Sequence, residues 1–186
     1  MSVVPPEVKA KVLESWRENP MRKPRIAKVT VNISLGYSGE RLVKAAEVLE
    51  QITGQKPVFR RAKRTIRAFG VRKGENIAVM VTLRKERAIE LLKKAFEAVG
   101  HRLKVRSIDQ YGNVAFGIEE HILIPGVQYD PAVGILGMDV ILTIERPGHR
   151  IVRRKRARKK HIPRRHRVTK EETMVLLEEM FGIKWI

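Results

Sequence analysis

The chain has no cysteine, which excludes a disulfide framework and any thiolate-held metal. No apolar run reaches the ~20 residues a membrane-spanning helix needs. The opening Met1-Ser2-Val3-Val4-Pro5-Pro6 lacks the basic-then-apolar order of a secretory signal, so the chain reads as cytoplasmic. Asparagine occurs only four times while charged residues make up 32%, a balance that leans thermophilic. Acid is missing from two long stretches, 56–73 and 146–170. Also missing are a phosphate-binding Gly-x-x-x-x-Gly-Lys-Ser/Thr loop and a helical His-Glu-x-x-His. His101, His121, His149, His161 and His166 are scattered and read as surface or phosphate-contacting groups. No nucleophile–base pair or paired-acid motif stands out. The expectation is therefore no enzyme, no cofactor and no metal.

What is abundant is positive charge. Lys and Arg number 39 against 20 Asp and Glu, a net charge of +19 over 186 residues. A free chain so charged repels itself, and a polyanionic partner is the natural counterweight. Hydrophobic residues at 43% suffice for a compact core.

Apolar spacing predicts a helix over Pro6–Asn19, with Pro6 in the first turn and Val8, Val12, Leu13 and Trp16 on one stripe. Residues 26–35 alternate. Ile26, Lys28, Thr30 and Asn32 share one parity; Ala27, Val29, Val31, Ile33 and Leu35 share the other, as in a half-buried strand. After a turn at Gly36 and Gly39, residues 40–53 form an amphipathic helix with Leu42, Val43, Ala46, Leu49 and Ile52 inward and Gly54 as its stop. Residues 57–71 read as a basic strand or loop, 70–74 as an exposed hairpin tip, and 76–83 as a β-branched strand. A helix over 85–99 turns Ala88, Ile89, Leu92, Ala95, Phe96 and Val99 inward, with Gly100 as its stop. Strands follow at 113–118 and 138–144, separated by the Gly- and Pro-containing stretch Ile124 to Pro131. Thr169 and Glu172 form a capping box for a last helix carrying Val175, Leu176, Met180 and Phe181. No repeat is present. Strands mixed with helices without βαβ alternation predict an α+β fold: a mostly antiparallel sheet with helices on one face, and a basic extended arm before the C-terminal helix. The expected organisation is one RNA-binding domain, with an N-terminal helix at 1–20, a core at 21–145, the arm at 146–168 and the final helix at 169–186.

Two blocks carry the charge. The first holds Lys56, Arg60, Arg61, Lys63, Arg64, Arg67, Arg72 and Lys73. Alternate residues of a strand share a face, so several of these cations can track one phosphate backbone; the alternative is a solvated edge that deters aggregation. The second lies in 146–170, with thirteen Lys or Arg and no acid. It includes Arg153, Arg154, Lys155, Arg156, Arg158, Lys159, Lys160, Arg164, Arg165 and Arg167, and suits an arm that orders on polyphosphate. A nuclear import signal or a flexible tail are its rivals, though the helix after it argues for a tethered loop. Asn32, Gln55 and Thr82 are neutral groups that both donate and accept hydrogen bonds. By pattern alone they read as turn or edge residues; the other reading is contact with RNA bases or 2′-hydroxyls. Charge alone also leaves open a DNA-compacting protein, and an RNA-cleaving enzyme is opposed only by the missing acid–base pair.

Ordered motifs narrow the choice. Val31-Asn32-Ile33-Ser34-Leu35-Gly36 is followed by Thr53-Gly54-Gln55-Lys56-Pro57, Ala62-Lys63-Arg64-Thr65-Ile66, Phe69-Gly70-Val71-Arg72-Lys73-Gly74 and Val81-Thr82-Leu83-Arg84. Gly112-Asn113-Val114-Ala115-Phe116-Gly117-Ile118 and Gly137-Met138-Asp139-Val140 come later. From about Met21 to the C-terminus this series closely resembles the universal ribosomal large-subunit protein five family, which binds 5S ribosomal RNA. The resemblance implies an antiparallel sheet covered on one face by helices. It implies 5S rRNA contact through Asn32, Gln55 and Thr82, with Lys56, Lys63 and Arg64 beside them. A loop reaching peptidyl-site tRNA falls on Phe69, Gly70, Val71, Arg72, Lys73 and Gly74. Large-subunit rRNA, other 5S-associated ribosomal proteins and a small-subunit head protein, met through a bridge, are the further partners implied. The turn after Gly36 is shorter than in bacterial members, and the 146–170 arm resembles the insertion of archaeal and eukaryotic ones.

Overall fold

Pro5 in an extended conformation and Pro6 in the first turn start helix α1, Pro6–Glu18, where a missing N–H leaves no hydrogen bond unmade. In the computed structural model, which describes residues 4–127, 129, 131 and 134–186, the elements then run as follows. Strand β1 is Arg25–Ser34, helix α2 Glu40–Thr53, strand β2 Val58–Arg61, strand β3 Asn76–Leu83 and helix α3 Lys85–Ala98. Strands β4 (Arg102–Leu103), β5 (Val114–Ile118) and β6 (Met138–Glu145), helix α4 (Lys170–Phe181) and strand β7 (Lys184–Trp185) complete the chain. Residues 1–3 of the opening segment and Gln128 and Asp130 of the Gly/Pro stretch lie outside the described residues. No helix among the described residues is long and apolar enough to cross a membrane.

The main sheet has five strands in the order β2-β3-β1-β6-β5, and β4 pairs with β7 in a two-stranded parallel ladder. Both β1 and β2 run antiparallel to β3. This is the expected α+β arrangement, with helices on one face and a basic region ahead of α4. The chain divides into two compact units, one formed by Met1–Lys28, Gly100–Ala115 and Leu142–Ile186, the other by Val29–Val99 and Phe116–Ile141.

In the second unit, Val29, Val31 and Ile33 of β1 and Val79, Val81 and Leu83 of β3 are buried, the face that α2 and α3 cover. The Phe96 and Phe116 rings stack there at 5.4 Å. Two details of α2 differ from the expectation. Val43 is 49% exposed, and Ala45 and Val48 take the inward places instead, because the helix buries a stripe wide enough to include positions between the expected ones. In α3, Leu91 is buried while Ile89 and Val99 are only half-buried. Gly54, at φ 62°, supplies the left-handed residue that ends α2, its N–H donating to Glu50 O.

In the first unit, Trp16 is the buried anchor of α1, and Val8, Val12 and Leu13 are half-buried. The capping box of α4 is present as expected: Glu172 N–H donates to Thr169 Oγ1 and Thr169 N–H donates to Glu172 Oε2. Val175, Leu176 and Leu177 are buried, but Met180 is 45% exposed.

Candidate nucleic-acid interface

Because side chains alternate along a strand, the buried parity of β1 leaves Thr30 and Asn32 on the opposite face of the sheet. The β1–β3 register sets Thr30 across from Thr82 and Asn32 across from Met80. Asn32 and Thr82 are therefore diagonal neighbours on that open face, a relation that typically spans about 7–8 Å. Gln55 joins them from the other side. Thr53 Oγ1 donates to Leu49 O at 2.6 Å, Gly54 turns the chain, and Gln55 Nε2 then donates to Thr82 O at 3.4 Å. So three residues far apart in sequence meet at one place. The Asn32 amide and the Thr82 hydroxyl are half-buried and make no side-chain hydrogen bond among the described residues. Lys56 is exposed beside Gln55. Thr30 and Met80 belong to the same neighbourhood by register and carry no signal in the sequence motifs; strand parity alone identifies them.

Strand β2 is outermost in the sheet and exposed along its whole length. Beyond it the chain makes an excursion before β3. Ala62 N–H donates to Glu75 O and Gly74 N–H to Ala62 O; farther out, Ile66 and Val71 exchange both backbone bonds. A short 3-10 turn, Arg67–Phe69, sits at the end, and Gly70 at φ 67° closes it. The tip is thus Arg67 to Gly70, not 70–74. Phe69 is 77% exposed, while Val71 is only 8% exposed. Arg72 and Lys73 lie on the returning limb, where their N–H groups donate to Glu75 Oε2 and Thr65 Oγ1. The Ile66–Val71 pairing explains the shift: it holds Val71 inward and moves the turn toward the N-terminal side. Lys63, Arg64, Arg67, Arg72 and Lys73 all face solvent. A cleft of about 970 Å³ at the root of the excursion is lined by Tyr37, Arg60, Lys63, Arg64, Ile66 and Phe69, among others.

The basic region before α4 is more structured at its ends than an extended arm. Arg146 is buried and ion-paired with Glu172, and it donates to Arg165 O. Glu145 pairs with Arg153. Ile162 and Val168 are buried at 4% and 3% exposure. Short 3-10 turns occupy His149–Val152 and Arg164–His166, and Lys160 N–H donates to Ile151 O at 3.4 Å. That bond pins the ends of the 153–160 loop. Within it Lys155, Arg156, Arg158 and Lys159 are exposed and Arg154 is half-buried; Arg164 and Arg165 are exposed farther on. The Arg167 guanidinium lies over the Tyr111 ring, 4.5 Å from its centroid.

The histidines separate. His121, expected at the surface, is 1% exposed, and its Nδ1 accepts from Leu136 N–H. Burial pushes its pKa below the ordinary value, with Glu120 and the Leu136 bond opposing. Burial also lowers His149, against Glu145, with His166, Arg153 and Arg167 adding to the depression. His166 Nε2 meets Pro147 O at 2.8 Å. Among the described residues no group of three or more His, Asp or Glu is placed to hold a metal.

Comparisons with known proteins cover nearly the whole chain. Residues 19–72 match the family described as Ribosomal protein L5, and residues 76–176 match the ribosomal L5P family C-terminus. The chain is 72% identical over 183 residues to the large ribosomal subunit protein uL5 of Aeropyrum pernix, covering 98% of this chain and 95% of that one. It is 58% identical to the uL5 protein of Sulfurisphaera tokodaii, over 91% of this chain and 96% of that one. With the uL5 protein of Pyrobaculum aerophilum the identity is 49%, over 92% and 99%.

Proposed function

The chain belongs to the ribosomal protein L5 family, in its archaeal form, and we propose that within the large subunit it binds 5S rRNA through the open face of its sheet. Membership makes it a structural, rRNA-binding ribosomal protein rather than a catalyst. The observation that carries the 5S reading is the pair of unspent polar groups, the Asn32 amide and the Thr82 hydroxyl, beside Gln55. A folded protein with such groups set on a rigid sheet can bond unpaired bases and 2′-hydroxyls, which is how irregular RNA is read. Lys56, Lys63 and Arg64 supply phosphate contacts that fix position without reading sequence.

The arm cations, from Arg153 to Arg167, bind large-subunit rRNA and help attach the 5S particle to the subunit. The excursion between β2 and β3 reaches P-site tRNA, with Phe69 and Gly70 foremost and Val71 to Gly74 supporting them. Other 5S-associated ribosomal proteins and a small-subunit head protein, met across an intersubunit bridge, complete its partners. Segments 1–20, 21–145, 146–168 and 169–186 work together as one RNA-binding domain, and its place of work is the cytoplasmic ribosome.

The test is a titration of the full chain against 5S rRNA, with tRNA of matched size and duplex DNA as competitors, at moderate and high salt. A 5S preference that persists at high salt is expected. Asn32→Ala, Gln55→Ala and Thr82→Ala each weaken it by about 1–3 kcal/mol. Affinity that follows polyanion length alone and collapses with salt, or three variants that bind like the parent, overturns the reading.

A further inference from the structure

A cavity of about 270 Å³ lies within the first unit. Ile144, Ile162 and Val168 give it buried apolar lining, and Val152 adds an apolar group at 42% exposure. Tyr111 lines it too, with the Arg167 guanidinium stacked on its ring at 4.5 Å. Arg153 lines it and is held by Glu145. The Thr143 hydroxyl, also in the lining, makes no hydrogen bond among the described residues.

The charges select the occupant. Glu145 and Arg153 offset each other, Arg167 opposes a cation, and the apolar lining of Ile144, Ile162 and Val168 disfavours a small hydrated anion. What remains favourable is a neutral, flat group that can lie against aromatic, guanidinium and aliphatic surfaces and bond a hydroxyl at its edge. Nucleobases have that chemistry, and unpaired RNA bases are commonly held by stacking on aromatic rings and Arg planes. A volume of about 270 Å³ has room for one base, which can enter only where it is unpaired and unstacked.

A second observation gives the source. Arg153 and His161 both line the cavity, and between them runs the cation-rich loop whose ends are clasped by the Lys160 N–H to Ile151 O bond. A strand held by this loop through its phosphates would therefore run close to the cavity's rim. We propose that the cavity receives one unstacked base of the rRNA strand that the 153–160 loop binds. The proposal rests on the reading of the arm as an rRNA contact.

The test uses the full chain and short single-stranded RNA: oligoadenylate, oligouridylate and a fully abasic ribose-phosphate of equal length. At least one homopolymer is expected to bind about tenfold tighter than the abasic chain. Val152→Met, which fills an exposed position at the rim without adding an aromatic face, is expected to remove that difference and leave the salt dependence unchanged. Thr143→Ile serves as the second variant, with an unchanged melting midpoint required of either. Free adenosine monophosphate is expected to compete only weakly; competition equal to that of the oligonucleotide makes this a mononucleotide site and overturns the proposal. Homopolymer and abasic chains that bind alike overturn it as well, and if Lys155→Ala/Arg156→Ala/Arg158→Ala then weakens both, the arm still binds RNA by phosphates alone. If that triple variant binds all the chains as the parent does, the arm reading falls, and the cavity proposal with it.

Discussion

Arg146 and Glu172 are ion-paired inside the protein, their side chains only 7% and 8% exposed. Glu172 also serves both halves of the α4 capping box, and Arg146 also holds Arg165 O. One carboxylate therefore starts a helix, neutralises a buried guanidinium and ties down the far end of the basic region.

Glu172→Ala is expected to destabilise the fold by about 3–5 kcal/mol, because it strands a buried charge and removes the capping bonds. Urea unfolding checks this. A loss of under about 1 kcal/mol, the usual worth of an exposed pair, would show that Arg146 is hydrated in solution.

Gly112 has φ 77°, and a Cβ there would stand 2.7 Å from Thr173 Oγ1 and 2.9 Å from Val168 Cγ1. The same Thr173 hydroxyl donates to Gly112 O. Gly112→Ala is expected to cost about 2–3 kcal/mol through the left-handed backbone and the overlap. A melting midpoint equal to the parent's would contradict this.

The neutral trio and the cations act through different physics, and salt separates them. Replacing Arg60, Arg61 and Lys63 by Ala is expected to flatten the plot of log affinity for 5S rRNA against log salt, by about 0.7–0.9 for each phosphate no longer neutralised. Asn32→Ala or Thr82→Ala lowers affinity and leaves the slope alone. An unchanged slope in the triple variant would remove β2 and the adjoining Lys63 from the RNA interface.

Burial holds the His121 imidazole below its ordinary pKa of 6.5. The unfolded chain takes up this proton at a pH where the folded chain does not. Stability is thus full above that ordinary value and is lost as pH falls from there toward the depressed folded one. His149 is shifted the same way. Denaturation at about pH 7.5 and about pH 5.5 is expected to show a larger loss for the parent than for His121→Gln; equal losses would mean that His121 is not protonated on unfolding in this range.

Much of this was legible from the chain. Alternation in 26–35 named the buried and open faces of β1, and Thr169 with Glu172 announced the start of α4. The neutral trio was visible as residue types, but its meeting point was not, since it depends on the register of Thr30 against Thr82 and on the turn at Gly54. Val43 misled because a helical stripe is wider than its best-spaced positions. Val71 misled because its inward turn comes from pairing with Ile66, which no periodicity signals. Arg146 stood at the head of a run without acid, so its partner was invisible: Glu172 lies 26 residues on. The cavity was beyond reach for the same reason, since Tyr111, Thr143 and Ile162 meet only in three dimensions.

The clasp between Lys160 and Ile151 sets the entropy of the arm's encounter with RNA. A free basic tail must order every residue from its last anchor outward, at about 1–2 kcal/mol of backbone freedom each. Here both ends of the loop are already placed before RNA arrives, and only the span between them remains to settle. Repulsion among the cations also works differently in a closed loop than in a tail. It cannot drive the chain away from the protein, so it keeps the loop open and its charges facing outward, ready for a polyphosphate to collapse onto them.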